Sequence, residues 1–354
     1  METILSNDYA KVTALNLFNT ALVEPRISAQ MPNTLKIVSG YATHAMAVSH
    51  YIAIKDVARR LKMSLPLDIE LIYGMAGTDG VSKVNHKGFL SLEEHKEFAY
   101  DGHFTCAYVK KPKSVHSKVY VWCKGETPVK AYLGSANYSE TAFKMPNRTE
   151  TLAECDPISA LDFFNSVKPE TVECSKADRD KDFTPSAKAA PTSKKRTGLI
   201  AVEGDVSSPY HGWEKLTLSL LTRNGDLGNG SCLNWGVKSD GKPRVSGKSV
   251  RDPNQSYIGI PAAVQRSGFF PDIQHRFTVM TDDGTIFTCV RAQDNGKGIE
   301  TPQDNAELGR YFRKRLGLPS GAYITTADMR KYGRFDVVFY KQDDENYVMD
   351  FSRP

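Results

Sequence analysis

The sequence predicts an α/β domain followed by a separate, mostly β domain. Residues up to about 175 alternate strand-like and helix-like runs, and residues after about 200 form short β-rich runs broken by Gly, Asp and Asn. A polar stretch nearly free of large apolar side chains divides the two. With 354 residues, 40% of them hydrophobic and 25% charged, the chain has the length and composition of two ordinary globular domains.

In the first half, strands are predicted at Leu35–Tyr41, Leu67–Gly74, Phe104–Val109, Val115–Trp122 and Val129–Leu133. Apolar residues at helical spacing predict a helix over His44–Lys62, with Thr43 available as its N-cap. Ser91 followed by Glu94 has the spacing of a capping box and predicts a second helix over Ser91–Tyr100. The stretch Ser175–Gly198 holds one large apolar residue, Phe183, and cannot form a packed core. Its second half carries Lys188, Lys194, Lys195 and Arg196 without an acid, which suits a solvated basic linker. The expected division is therefore 1–175, a flexible linker over 176–200, and 201–354.

After the linker, β-rich runs fall at Tyr257–Ile260, His275–Met280, Thr285–Arg291 and Phe335–Lys341. Asp283–Gly284 between two of them is a hairpin signal. One clear helix stands out, Asn305–Leu316, so this half reads as a compact β domain or partly open barrel.

The formal net charge of +5 suits a nucleic-acid partner without demanding one. No apolar run approaches the length of a membrane span, and METILSNDYA lacks a secretory pattern, so a cytoplasmic location is expected. The cysteines Cys106, Cys123, Cys155, Cys174, Cys232 and Cys289 form no CxxC pair, which favours reduced core thiols over zinc ligands.

The chemistry concentrates at Val115–His116–Ser117–Lys118, an apolar run, and then Gly134–Ser135–Ala136–Asn137. In a strand, His116 and Lys118 would project from one face. An imidazole beside an ammonium suits attack on a phosphodiester, the first as nucleophile or proton donor and the second as a neutraliser of phosphoryl charge. A turn at Gly134 would bring a hydroxyl and an amide to the mouth of the same sheet.

This arrangement of HxK, a short strand and GSxN resembles the phospholipase D superfamily, and the likeness runs on to Asn147–Arg148–Thr149–Glu150. The resemblance implies His116 as a nucleophile forming a phosphohistidine intermediate, with Lys118, Ser135 and Asn137 binding the phosphate. It further implies that Glu150 orients the His116 ring. The family's aspartate five residues after the lysine is replaced by Cys123. Of the eight histidines only His116 is followed two positions later by lysine. The reaction needs two histidines, so the expected assembly is a homodimer with one catalytic centre across its two-fold axis. No metal and no cofactor are expected, since the lysines supply the positive charge that a metal would.

In the second half, residues 234–267 carry six basic residues (Lys238, Lys242, Arg244, Lys248, Arg251, Arg266) against Asp240 and Asp252, interleaved with Trp235 and Tyr257. Residues 201–354 as a whole are nearly balanced, so any DNA footprint must come from local placement. A second loop offers Arg291, Gln293, Asn295 and Lys297, of which Arg, Gln and Asn can pair bidentately with base edges. The run from Tyr257 to Pro261, the hairpin, Gly317–Leu318–Pro319 and Asp336–Tyr340 resemble the plant B3 transcription-factor domain, a pseudobarrel that grips duplex DNA with two arms. By position the arms would be Leu233–Tyr257 and Arg291–Gln303. Candidate contacts are then Trp235, Lys238, Lys242, Arg244, Lys248, Arg251, Asn254, Gln255, Arg291, Gln293, Asn295 and Lys297.

A phospholipase D-like nuclease domain followed by a B3-like DNA-recognition domain is the order found in a group of restriction endonucleases. The resemblance implies a sequence-specific, metal-independent endonuclease acting on double-stranded DNA. Some related systems add a separate helicase-like ATPase subunit. The rival readings are a DNA-binding regulator with an inactive nuclease half, and a phosphodiesterase that is not a nuclease. The intact set of His116, Lys118, Ser135, Asn137 and Glu150 argues against the first, and the lack of a lipid-binding element argues against a membrane-acting form of the second.

Overall fold

The structure is a computed structural model that describes residues 4–6, 17–95, 100–145, 148–180, 210, 212–222 and 224–353. It divides into two compact units, Met1–Ala187 and Lys188–Pro354.

The first unit is built on an eight-stranded mixed sheet. Its strands are β1 (Ile4–Ser6), β2 (Thr34–Ser39), β3 (Asp68–Tyr73), β4 (Phe104–Val109), β5 (Lys118–Lys124), β6 (Thr127–Gly134), β7 (Thr151–Cys155) and β8 (Thr171–Glu173), in the order β1-β7-β6-β5-β2-β3-β4-β8. β2, β3 and β4 run parallel, and β5 lies antiparallel to β2 with Ser39 opposite Lys118. The central strands are apolar on both faces because both are covered. Leu35, Ile37, Tyr120 and Trp122 pack toward α1 (His44–Leu61) and α3 (Lys83–Glu93), with the one-turn α2 (Ala76–Asp79) between those helices in the chain. Val38, Val119, Val121 and Cys123 pack on the other side under Ala160, Phe164 and Val167 of α5 (Pro157–Val167), which follows the short α4 (Glu140–Lys144).

Several sequence expectations shift here. The strand expected from Val115 begins at Lys118, because residues 115–117 cross the ends of β2 and β3 before pairing starts. The helix expected over Ser91–Tyr100 begins at Lys83, capped by Ser82, whose side chain accepts the Asn85 N–H. At α1, Thr43 occupies the N-cap position, but the acceptor for the His44 N–H is Asn85 Oδ1 at 2.7 Å, a tertiary contact. The first unit also continues past residue 175: Cys174 and Ala177 of α6 (Cys174–Ala177) are buried in its core. The linker residues Lys188, Lys194, Lys195 and Arg196 lie outside the described residues, as does Asn147.

The second unit is a seven-stranded sheet in the order β12-β15-β14-β13-β17-β16-β9. These strands are β9 (Glu214–Ser219), β12 (Ile258–Gly259), β13 (Phe277–Thr281), β14 (Ile286–Ala292), β15 (Gly298–Glu300), β16 (Asp336–Lys341) and β17 (Asn346–Asp350). The edge strands β12 and β9 approach each other, so the sheet nearly closes into a barrel around Phe270, Phe277, Phe339 and Tyr347. The Asp283–Gly284 hairpin joins β13 to β14, with Gly284 at φ +84°. A separate two-stranded hairpin, β10 (Val245–Ser246) with β11 (Ser249–Val250), lies outside the barrel. Besides α8 (Glu307–Leu316), the helix expected from sequence, there are α7 (Ala262–Ser267) and α9 (Thr326–Tyr332); both are too short to show a clear helical period.

Candidate active site and DNA-reading arms

The motif residues of the first unit collect at one edge of its sheet, where β2 and β6 end and β5 and β7 begin. Residues 115–117 are held across this edge by Val115 N–H to Gly74 O at 2.9 Å and Gly40 N–H to Ser117 O at 3.1 Å. A Cβ on Gly74 would stand 1.8 Å from Val115 O, so only glycine permits this crossing. His116 is thereby carried to the exposed rim, while Lys118, the first residue of β5, is buried with 6% exposure.

Lys118 Nζ lies 2.9 Å from His116 Nδ1 and 3.3 Å from Nε2, and donates to the His116 carbonyl at 2.6 Å. Burial lowers the Lys118 pKa, and the negative charge of Glu150 works against that shift. Ser135, just past β6, gives its hydroxyl proton to Glu150 Oε2 at 2.5 Å and accepts the Thr151 N–H at 3.0 Å. Asn137 Oδ1 accepts the Tyr41 N–H at 3.1 Å, which leaves its Nδ2 hydrogens for a ligand. Imidazole, ammonium, hydroxyl and amide thus face one site with the chemistry to hold and attack a phosphodiester.

In the second unit, two segments leave the barrel. The first runs from Leu233 to Tyr257 and carries the β10–β11 hairpin, with Lys248 beside its Gly247 turn. Its base is anchored by Arg313, 1% exposed, which donates to Pro253 O at 3.2 Å, Gly309 O at 3.1 Å and Ala322 O at 2.8 Å. Buried Asn234 exchanges two 2.9 Å hydrogen bonds with the Ile324 backbone. The second segment is the tight loop between β14 and β15, where Gln293, Asn295 and Gly296 all have positive φ.

Comparison with known families matches residues 15–180 to the NgoFVII restriction endonuclease N-terminal PLD domain and residues 210–343 to the NgoFVII C-terminal B3-like DNA-binding domain. The chain belongs to this restriction endonuclease family. Among solved structures, NucT from Helicobacter pylori is 20% identical, with 49% of this chain and 98% of that chain covered and a TM-score of 0.30. Nuc, a phospholipase D family member from Salmonella typhimurium, is 13% identical, with 49% and 97% covered and a TM-score of 0.32. No curated protein sequence matches the chain. The enzyme is accordingly a phospholipase D-family deoxyribonuclease with a B3-like DNA-binding domain.

Within the nuclease domain, His116, Lys118, Ser135 and Asn137 lie at this edge together with Glu150. Its carboxylate takes the Ser135 hydroxyl and acts on Lys118 through its charge. The His116 ring meets Lys118 and, edge to face at 5.8 Å, Tyr41. Cys123, in the place of the superfamily aspartate, is buried under α5, and burial pushes its thiol up to about 11. Among the described residues, no group of three or more His, Cys, Asp or Glu is gathered as for a metal ion. Nor, among them, is any helix long and apolar enough to cross a membrane.

In the B3-like domain the candidate contacts separate by burial. Lys238, Lys242, Lys248, Asn295 and Lys297 are exposed, and Arg244 is half-buried with its guanidinium on Gly230 O. Arg251 stacks 4.2 Å over the Trp235 ring and donates to Gln255 Oε1 at 2.9 Å. Gln293 donates to buried Glu300. Two candidates are corrected. The Asn254 amide is buried, bonded to Asp252, Ser320 and Gly321, and so holds the arm in shape. Arg291 is buried too, its guanidinium bonded to Pro271 O and Gly296 O, where it braces the second loop. Sequence reasoning missed Gly40, Tyr41, Asn234 and Arg313, which carry no local motif and acquire their roles only through distant contacts.

Proposed function

We propose that this enzyme is a sequence-specific restriction endonuclease that cuts double-stranded DNA through a phosphohistidine at His116. The observation that carries the proposal is the 2.9 Å approach of the Lys118 ammonium to the His116 imidazole at an exposed rim, beside Ser135 and Asn137. A ring nitrogen of His116 attacks phosphorus, the P–O bond to the leaving strand breaks, and water then cleaves the P–N bond. Lys118, the Ser135 hydroxyl and the Asn137 amide stabilise the phosphoryl oxygens. Protonation of the leaving oxygen falls to His116 of a second copy, since each chain has a single HxK. An apolar cleft of about 390 Å³ beside Lys118, lined by Val119, Leu133 and Phe163, supports a second copy at this edge. Lysine ammonium groups supply the positive charge, so the step requires no metal. The B3-like arms choose the site.

The test is to trap the covalent intermediate. End-labelled plasmid fragments are mixed with enzyme and quenched in alkali, where a phosphohistidine survives, or in acid, where it breaks. A labelled protein band stable to alkali, lost in acid and absent in His116→Ala is expected. Cleavage by His116→Ala near the wild-type rate would remove the proposal.

A further inference from the structure

We infer that Tyr41 is a positioning residue for the reaction: its ring sets the rotation of the His116 imidazole, and its backbone sets the Asn137 amide. This rests on the reading of His116 as the attacking group. Both ring nitrogens of His116 lie close to Lys118 Nζ, at 2.9 and 3.3 Å, so the ammonium alone does not choose between rotations of the ring. The choice falls to the walls. One wall is Gly40, where an added Cβ would stand 3.1 Å from His116 Cδ2 and 3.3 Å from its Cα. The other is the Tyr41 ring, 5.8 Å from the imidazole centroid at an interplanar angle of 80°.

Tyr41 is itself held at both ends. Its hydroxyl donates to the Asp79 carboxylate at the end of α2, a bond that pushes the phenol up to about 12 and keeps it protonated. Its ring also meets Tyr73 edge to face at 6.2 Å. Its carbonyl accepts from Ser39 Oγ, which accepts the Tyr138 N–H at 2.9 Å, and its N–H donates to Asn137 Oδ1 at 3.1 Å. One residue therefore ties the end of β2 to the imidazole, to the amide of the GSxN turn and to α2. An imidazole that must present one nitrogen in line with phosphorus gains rate from having its rotation restricted before DNA arrives.

The experiment compares full-length wild type with Tyr41→Leu, Tyr41→Phe, Gly40→Ala and His116→Ala. It measures single-turnover cutting of a supercoiled plasmid that the wild type cleaves, affinity for the same plasmid, and thermal melting. Tyr41→Leu should slow cutting about tenfold to a hundredfold with affinity unchanged within about twofold, because positioning affects the chemical step. Tyr41→Phe, which keeps the ring, should restore most of that rate. Gly40→Ala should slow cutting by pushing the imidazole aside, and it decides the matter if Tyr41→Leu does not fold. Tyr41→Leu and Gly40→Ala cutting at the wild-type rate, or Tyr41→Phe as slow as Tyr41→Leu, would overturn the inference. Activity retained by His116→Ala would instead overturn the reading of the nucleophile.

Discussion

Ser135 gives its hydroxyl proton to Glu150 at 2.5 Å, and its oxygen receives the Thr151 N–H at 3.0 Å, so the GSxN turn and the start of β7 are one hydrogen-bonded unit. The arrangement holds a carboxylate close enough to Lys118 to oppose the effect of burial on its ammonium. In the proposed mechanism Lys118 must keep its proton to neutralise phosphate. Burial lowers its pKa and the Glu150 charge raises it, so Glu150→Gln should lower it further. The alkaline limb of the single-turnover pH–rate profile should then move to lower pH, while Ser135→Ala moves it little. A limb in the same place for Glu150→Gln would exclude this electrostatic role.

Mixing wild type with His116→Ala tests the shared centre. If each centre needs two imidazoles, heterodimers are inactive, and at equal mixing with random exchange the activity per wild-type chain falls to about half. Constant activity per wild-type chain across mixing ratios, after demonstrated exchange, would mean that each chain works alone.

Metal removal should leave the nuclease working. Plasmid cutting in excess EDTA is expected within about twofold of the rate in magnesium, because lysine charge acts where a cation would in metal-dependent nucleases. A strict magnesium requirement of the purified enzyme would contradict the phosphohistidine route.

Two neighbours in the first arm should behave differently. Arg251 is poised on Trp235, so Arg251→Ala should weaken binding of a cognate duplex by about 1–3 kcal/mol and leave melting nearly unchanged. Asn254 makes buried hydrogen bonds to Asp252, Ser320 and Gly321, so Asn254→Ala should cost about 1–3 kcal/mol of stability in the B3-like domain. Equal effects of both changes on binding and on melting would show that burial does not separate their roles.

Glu93 predicts a pH dependence of stability. Burial pushes its carboxyl up to about 7 from an ordinary 4.5, while its Oε1 accepts the Cys106 N–H at 2.8 Å. The folded state thus holds a proton that the unfolded chain releases. Its contribution is full below about 4.5 and is lost as pH rises through about 7. Glu93→Gln keeps the acceptor and removes the titration, so its unfolding free energy at pH 8 should exceed that of wild type by at most about 3 kcal/mol, with the gap closing toward pH 4. A gap independent of pH would assign the effect to packing.

The sequence alone determined the two-part architecture, the central strands, the HxK and GSxN pair and the family likeness. Each of these is local: alternation, apolar runs and short motifs are set by neighbours in the chain. It also marked the β13–β14 hairpin, because Asp-Gly between β runs is itself the physical cause of the turn. Only the tertiary structure decided that Glu150 meets Ser135 and that the Tyr41 ring lies edge to face with His116, since these partners stand up to 75 positions apart and meet at one sheet edge. It alone decided that Asn254 and Arg291, polar and apparently free to read bases, are buried braces of the two arms. The physical reason is that a polar side chain is drawn as strongly to an unsatisfied carbonyl within the fold as to a ligand outside it, and burial, which no local pattern encodes, determines which it meets.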